Sequence, residues 1–264
     1  MIRVGEEATG RGPVSGSEPE VESRGDAGVG AQARVEARWA AGEQSEHRLA
    51  PYDPMPYGKP EVGVGPWEGS WPEGSAYDPE LLREGDRRNV IDRYRYWRLE
   101  AIVADLDTRR HDFHVAIENW QHDFNIGTIV RTANAFLARE VHIVGNRRWN
   151  RRGAMVTDRY QHVRYHPDAA ALAAYLAERD VPLWGVDNLP GSLHLETADL
   201  PQRVCFLFGQ EGPGLSDRAR EACAATFSIA QFGSTRSINA SVAAAVAMHA
   251  WVRSYADFSD AWRG

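Results

Sequence analysis

An α/β domain on a parallel sheet, preceded by an acidic tail, is the fold class that this 264-residue chain predicts. Three observations point to it. Charge and composition change near residue 85, short apolar runs alternate with helix-period segments beyond it, and glycine-marked polar loops follow several of those runs. With 43% hydrophobic and 25% charged residues the chain lies in the globular range, which excludes collagen-like, coiled-coil and fully disordered polymers.

Residues 1–85 carry 8 basic against 16 acidic side chains, a net of −8; the remainder carries 22 and 21, a net of +1. The same 85 residues hold 14 Gly and 9 Pro but only 11 Leu, Ile, Val and Phe, too little apolar surface to offset the entropy of ordering. A largely disordered acidic tail is therefore expected over 1–85. The alternative for its aromatic stretch, with Tyr52, Tyr57, Trp67, Trp71 and Tyr77 among prolines, is an extended arm laid over the body.

From Asp86, apolar residues at Val90, Ile91, Tyr94, Trp97, Ala101, Ile102 and Leu106 predict one helix over 86–110. The remaining domain, 111–264, alternates. Strands are expected at 113–118, 140–145, 182–186, 203–209 and 226–229, and helices at 126–136, 169–179, 216–223 and 239–255. Ala243, Ala244, Ala245 and Ala247 give the last helix a narrow face for close packing. The start of the chain has no apolar core of a secretory signal, no run is long enough to span a membrane, and the two cysteines, Cys205 and Cys223, form no metal or disulfide pattern. A reduced cytoplasmic setting is expected.

In open parallel sheets, ligands bind in the crevice beyond the carboxyl ends of the strands. Three loops at such ends carry the unusual residues. The first, 119–136, has Asn125 at a helix start and Arg131 within an apolar helical segment; the bland reading of that arginine is a surface ion pair. The second, 204–217, runs from a continuous apolar strand into Gly209, Gly212 and Gly214 around Gln210 and Glu211, where main chain can approach a ligand. It fits neither a dinucleotide fingerprint nor a P-loop. The third, 228–251, passes Gly233 into Ser234, Thr235, Arg236, Ser237 and Asn239 before the final helix; with no histidine suitably spaced, Ser237 reads better as a polar or capping group than as a nucleophile.

In that order, N-x-G-x-I-x-R-T-A from Asn125, F-G-x-E-G-x-G-L-S from Phe208 and S-I-N-A-S-V-A from Ser237 resemble the three motifs of the SpoU/TrmH group of SPOUT methyltransferases. The likeness covers roughly the last 150 residues. It implies a SPOUT α/β knot, a Rossmann-like parallel core whose C-terminal part is threaded as a trefoil, one of the rare exceptions to the rule against knots. It further implies S-adenosylmethionine held in the knot, a homodimer paired through the knotted region, and 2'-O-methylation of a ribose in tRNA or rRNA. By position, Asn125, Arg131, Glu211, Ser237 and Asn239 match the catalytic set, and Leu207, Phe208, Gly209, Gln210, Gly214, Ile229, Gln231, Ile238 and Asn239 the cofactor site. Four positions depart from the pattern: Gln210 stands for Asn, Ile238 for Leu, Ala230 for Pro, and Leu137 for the Gly that often follows the first helix.

Methyl transfer from a sulfonium to a hydroxyl needs two reactants in line and the loss of one proton, and no metal. A guanidinium is a poor base, so Arg131 is expected to bind a phosphate beside the target ribose and to stabilise the developing alkoxide, with Glu211 and Asn239 orienting Arg131 or the ribose and Ser237 hydrogen-bonding near the target nucleotide. For RNA, Arg147, Arg148, Arg151 and Arg152 cluster around Trp149, with Arg159 and Arg164 beyond and Arg109 and Arg110 as an extension. A catalytically silent RNA-binding or ribosome-assembly factor of the same fold is the rival reading. A metabolic enzyme using another nucleotide in the same crevice is a second.

Overall fold

A computed structural model describes residues 63–259 and 261 of the chain. Its elements are α1 (Pro79–Glu84), α2 (Leu99–Asp107), β1 (Phe113–Asn119), α3 (Ile126–Ala135), β2 (Val141–Gly145), β3 (Val163–His166), α4 (Ala169–Ala177), β4 (Leu183–Val186), β5 (Leu193–His194), β6 (Val204–Phe208), α5 (Asp217–Ala222), β7 (Ala225–Ser228) and α6 (Ala240–Tyr255). All strand pairings in the sheet are parallel, in the order β3-β2-β1-β6-β4-β7-β5. The strand order reverses between β1 and β6, which makes the gap between their carboxyl ends a topological switch point.

Alternation along each strand sorts the core into two layers. Phe113, Val115 and Ile117 of β1, Val141 and Ile143 of β2 and Phe206 of β6 face α3 and α6, where Ile129, Val130, Ala244, Ala247 and Met248 pack on them. Ala116, Val144, Cys205 and Leu207 face the other way, onto Leu172 and Leu176 of α4 and Ala219 of α5. The small residues of α6 let it lie close to the sheet, and Trp251 closes that layer, its Nε1 donating to the Gln202 carbonyl at 2.9 Å. Phe206 is fully buried, so Phe206→Ala is expected to cost about 3–5 kcal/mol. Burial also pushes the Cys223 thiol up to about 12, and that of the unexposed Cys205 well above its ordinary value.

β3 and β5, absent from the sequence expectations, are short edge strands. The pattern Val163-Arg164-Tyr165-His166 offers no apolar run to announce one, and β5 is two residues long.

The single helix expected over 86–110 is corrected to a 3-10 turn at Asp92–Tyr94 and the helix α2. Two features break it. Tyr96 has φ 63°, which no helix accommodates, and the fully buried Asp86 spends its carboxylate on Arg88 Nε (2.8 Å), Arg88 Nη2 (2.7 Å) and the Tyr96 N–H (2.9 Å). Burial raises the Asp86 carboxyl and these bonds lower it, leaving it below its ordinary value. The disordered tail expected as far as Gly85 is likewise corrected for its last part. Val64 and Asp86 exchange main-chain bonds at 2.9 Å, Trp67 meets Tyr96 edge-on at 5.3 Å, and Asp78 caps α1 with Pro79 at its first position. Residues 1–62 lie outside the described residues. No helix of the described residues is long and apolar enough to cross a membrane.

Candidate active site

Five of the seven segments that leave the carboxyl edge of the parallel sheet are tied together by side-chain hydrogen bonds. At the end of β6, Gln210 and Gly214 exchange N–H···O bonds at 3.2 and 3.1 Å, folding 210–214 into a closed turn. Gly209 is obligatory there because a Cβ would overlap the Gly214 carbonyl group. Gln210 Oε1 then accepts the Trp120 N–H (3.1 Å) and the Gln121 N–H (2.6 Å), fastening the turn to the loop after β1. Where the family pattern has asparagine, the longer glutamine supplies this reach.

Two acids that the sequence reading passed over complete the frame. Glu118, nearly unexposed, accepts the Ser216 N–H at 2.8 Å, the Ser216 hydroxyl at 2.7 Å and Trp120 Nε1 at 2.8 Å. Asp187, just after β4, accepts the Leu215 N–H at 3.0 Å and the Asn188 N–H at 2.8 Å. A lone acid closing the apolar run of β1 is the signal that could have found Glu118.

The third loop enters α6 through Asn239. Its Oδ1 accepts the N–H groups of Ser241 (2.9 Å) and Val242 (3.3 Å), an N-cap worth about 1 kcal/mol. Its Nδ2 donates at once to Asn125 Oδ1 at 3.0 Å and to Glu211 Oε1. One amide thus joins the three segments that the sequence singled out. Arg131 is not part of that junction. It lies on the exposed side of α3 and, among the described residues, makes no hydrogen bond or ion pair. Asn239 holds both Glu211 and Asn125, and neither Glu211 nor Asn239 bonds to Arg131. Ser237 is exposed, and its carbonyl accepts the Thr235 hydroxyl at 3.5 Å.

For a cofactor, the loop between β7 and α6 offers main chain. Among the described residues, no protein group accepts from the N–H groups of Gln231 to Ile238, and Phe232 and Ile238 are exposed, at 97% and 37%. Such unpaired groups beside uncovered apolar surface fit a heteroaromatic ring recognised by backbone atoms. The side chains of Leu207 and Phe208 point into the two core layers, so only their main chain can take part. Ala230 departs from the family's proline with a consequence: its N–H donates to Glu196 at 2.9 Å, a bond a proline cannot make. Leu137 keeps the backbone of the glycine it stands for, at φ 54°.

The arginine loop is fixed to the same edge. Asn119 Nδ2 donates to the carbonyls of Asn146 (2.7 Å) and Arg148 (2.9 Å), and the Asn150 N–H donates to Asp123 at 2.6 Å. Its 3-10 turn Arg151–Ala154 packs so closely on α3 that a Cβ on Gly127 would stand 2.7 Å from the Ala154 nitrogen. Arg147, Arg148, Arg151 and Arg152 are exposed. Trp149 is half-buried against the core with Arg151 over its ring at 5.6 Å. Arg109 and Arg110 do not extend the patch. Arg110 is buried on Asp107 (2.6 Å) and the Tyr160 carbonyl (2.8 Å), and Arg109 is engaged by Tyr94 and Asp105.

A parallel sheet with its polar loops drawn together at the switch point defines an α/β enzyme that binds its ligand across that edge. The chain belongs to the SpoU rRNA methylase family, whose model matches residues 112–249. The tRNA (guanosine(18)-2'-O)-methyltransferase of Thermus thermophilus is 28% identical over 157 residues, covering 56% of this chain and 78% of its own. An uncharacterized tRNA/rRNA methyltransferase of a Mycobacterium species is 35% identical over 147 residues, 51% of this chain and 44% of its own. Among solved structures, the SpoU methyltransferase AviRb from Streptomyces viridochromogenes, in complex with its cofactor AdoMet, superposes with a TM-score of 0.51 at 26% identity. The match covers 57% of this chain and 60% of that one. The chain is an RNA methyltransferase dependent on S-adenosylmethionine.

Proposed function

We propose that this enzyme methylates the 2'-hydroxyl of one ribose in a structured tRNA or rRNA. The observation that carries the reading is the double donation of Asn239 to Asn125 and Glu211, because it brings three distant stretches of chain to one point at the switch-point edge. Bound S-adenosylmethionine supplies the methyl group as an electrophilic sulfonium. Main-chain groups of Leu207, Gly209, Ile229 and Ile238 would hold it, with Phe208, Gln210, Gly214 and Gln231 shaping the turns around them.

Arg131, charged and unpaired among the described residues, binds a phosphate next to the target nucleotide and stabilises the negative charge that grows on the ribose oxygen. The proton leaves to that phosphate or to water, since a guanidinium stays protonated. Glu211, Asn239 and Asn125 hold the three loops in register, and the exposed Ser237 hydroxyl hydrogen-bonds to the nucleotide. The four exposed arginines of 147–152 track the RNA backbone.

The trefoil threading belongs to this reading. It is supported by the stretch 187–202, which lies against the third loop and α6 through Asn188 Nδ2 to the Arg236 carbonyl (3.0 Å) and Trp251 to Gln202. So does the homodimer: exposed Val242 and Val246 line a groove of about 540 Å³ on α6 that a second copy would cover. Mass-spectrometric comparison of ribose-methylated nucleosides in tRNA and rRNA from cells with and without the protein tests the function. One 2'-O-methylnucleoside should vanish from one RNA class and return on re-expression; unchanged ribose methylation in both classes overturns the reading.

A further inference from the structure

At the opposite, amino-terminal edge of the sheet, strand pairing brings together three side chains that methyl transfer does not use. His114 on β1, Glu140 just before β2 and His142 on β2 share the face covered by α4, and are 5%, 8% and 0% exposed. His114 Nδ1 stands 3.0 Å from His142 Nε2, and Glu140 Oε2 stands 3.7 and 3.8 Å from those two nitrogens. The circle through the three atoms has a radius of about 2.0 Å, the length of a bond from zinc to an imidazole nitrogen or a carboxylate oxygen. Glu140 Oε2 accepts the Tyr175 hydroxyl at 2.8 Å and stands beyond hydrogen-bond distance of both nitrogens.

We propose that His114, Glu140 and His142 bind a divalent first-row cation, zinc by the chemistry of two imidazoles and one carboxylate. The outer groups a metal site needs are in place. His142 Nδ1 meets His166 Nε2 at 3.0 Å, fixing the ring; Glu140 takes Arg164 Nε at 2.5 Å on one oxygen and the Tyr175 hydroxyl at 2.8 Å on the other. Binding leaves the proton count unchanged. His142 keeps its proton on Nδ1 and donates it to His166, while His114 shifts its proton to Nε2 and turns Nδ1 to the metal. The ion would pin the amino ends of β1 and β2, and its presence is independent of the methyl-transfer reading.

The test is a Co²⁺ titration of the full chain after metal stripping. One equivalent per chain should give the visible d–d bands of a low-coordinate nitrogen and oxygen site, Zn²⁺ should displace it, and Zn²⁺ should raise Tm. Glu140→Gln and His142→Gln should each weaken Co²⁺ binding by about tenfold or more. A reading that needs no substitution is the imidazole ¹⁵N spectrum of the wild-type chain, in which Zn²⁺ should move His114 and His142 and leave the exposed His122 and His249 in place. No d–d bands at about 100 μM Co²⁺ overturns the proposal. So do bands that both folded variants retain undiminished, or Zn²⁺ shifts confined to the exposed histidines.

Discussion

At the carboxyl edge of the sheet, Gln210, Asp187 and Asn239 are exposed or half-buried and are fastened to main-chain groups of neighbouring loops. On the face covered by α4, His114, Glu140, His142 and His166 are buried, the three histidines bonded in a chain and Glu140 held by Arg164 and Tyr175. The first arrangement fixes loops while leaving main-chain donors unpaired for a ligand; the second closes its polar groups inside the core, where little besides a small ion can enter. The difference also separates what a substitution costs. Damage at the carboxyl edge should fall on binding and turnover, and damage behind the sheet on stability.

The sharpest way to break that division is Arg131→Ala. The side chain is exposed and bonded to nothing among the described residues, so folding and S-adenosylmethionine affinity should stay, while kcat falls on the order of 10²-fold or more. Turnover within a few-fold of wild type would remove Arg131 from the site. Next in size is Gly209→Ala. The added methyl overlaps the Gly214 carbonyl group, so the turn must open; the cost should be about 1–3 kcal/mol in stability and at least tenfold in cofactor Kd by calorimetry. A variant that loses stability and keeps affinity would show that the closed turn serves only the fold.

Asn239 sharpens the comparison, because one side chain does both jobs. Asn239→Ala should lower stability by about 1 kcal/mol through the lost cap. Asn239→Asp keeps an acceptor for the Ser241 N–H but loses the donor to Asn125 and Glu211, and sets a carboxylate against Glu211. Its Tm should stay near wild type while kcat falls about tenfold. Wild-type kcat in Asn239→Asp would mean that the cap alone matters. Alanine at Arg147, Arg148, Arg151 and Arg152 should weaken RNA binding and flatten its salt dependence by about one unit of slope for each phosphate no longer neutralised.

How much of this was legible follows the same line. The strand and helix alternation, α3 and α6, and the three loops could be read because each signal lies within one short stretch of chain. Glu211 and Asn239 were found from the motifs, yet their mutual bond was not, since spacing along the chain says nothing of which loops meet. The cation cluster was hidden for a stronger reason. Glu140 and His142 share a strand face by alternation, but His114 joins them only through the register that sets Val115 against Val141. Arg110 misled because an arginine run reads as surface, and only the fold shows it buried on Asp107 and Tyr160. Asp86, where one helix was expected to begin, is instead a buried clasp on Arg88 and Tyr96.

The last effect concerns the face behind the sheet and is read in the wild-type chain. A thiol reacts as its thiolate, and burial holds the Cys223 thiol at about 12 and that of Cys205 well above its ordinary value. Both are therefore protonated at pH 8, where an ordinary cysteine is partly ionised, and alkylation of Cys223 should be roughly a thousandfold slower than in the denatured chain. The rate should rise with pH through the whole alkaline range instead of levelling near the usual thiol value. Metal-free and zinc-loaded protein should then differ in one respect. If an ion pins β1 to β2, alkylation of Cys205 on the adjacent β6, which requires the sheet to open, should slow further on adding Zn²⁺, while Cys223, reached from the α5 side, keeps its rate.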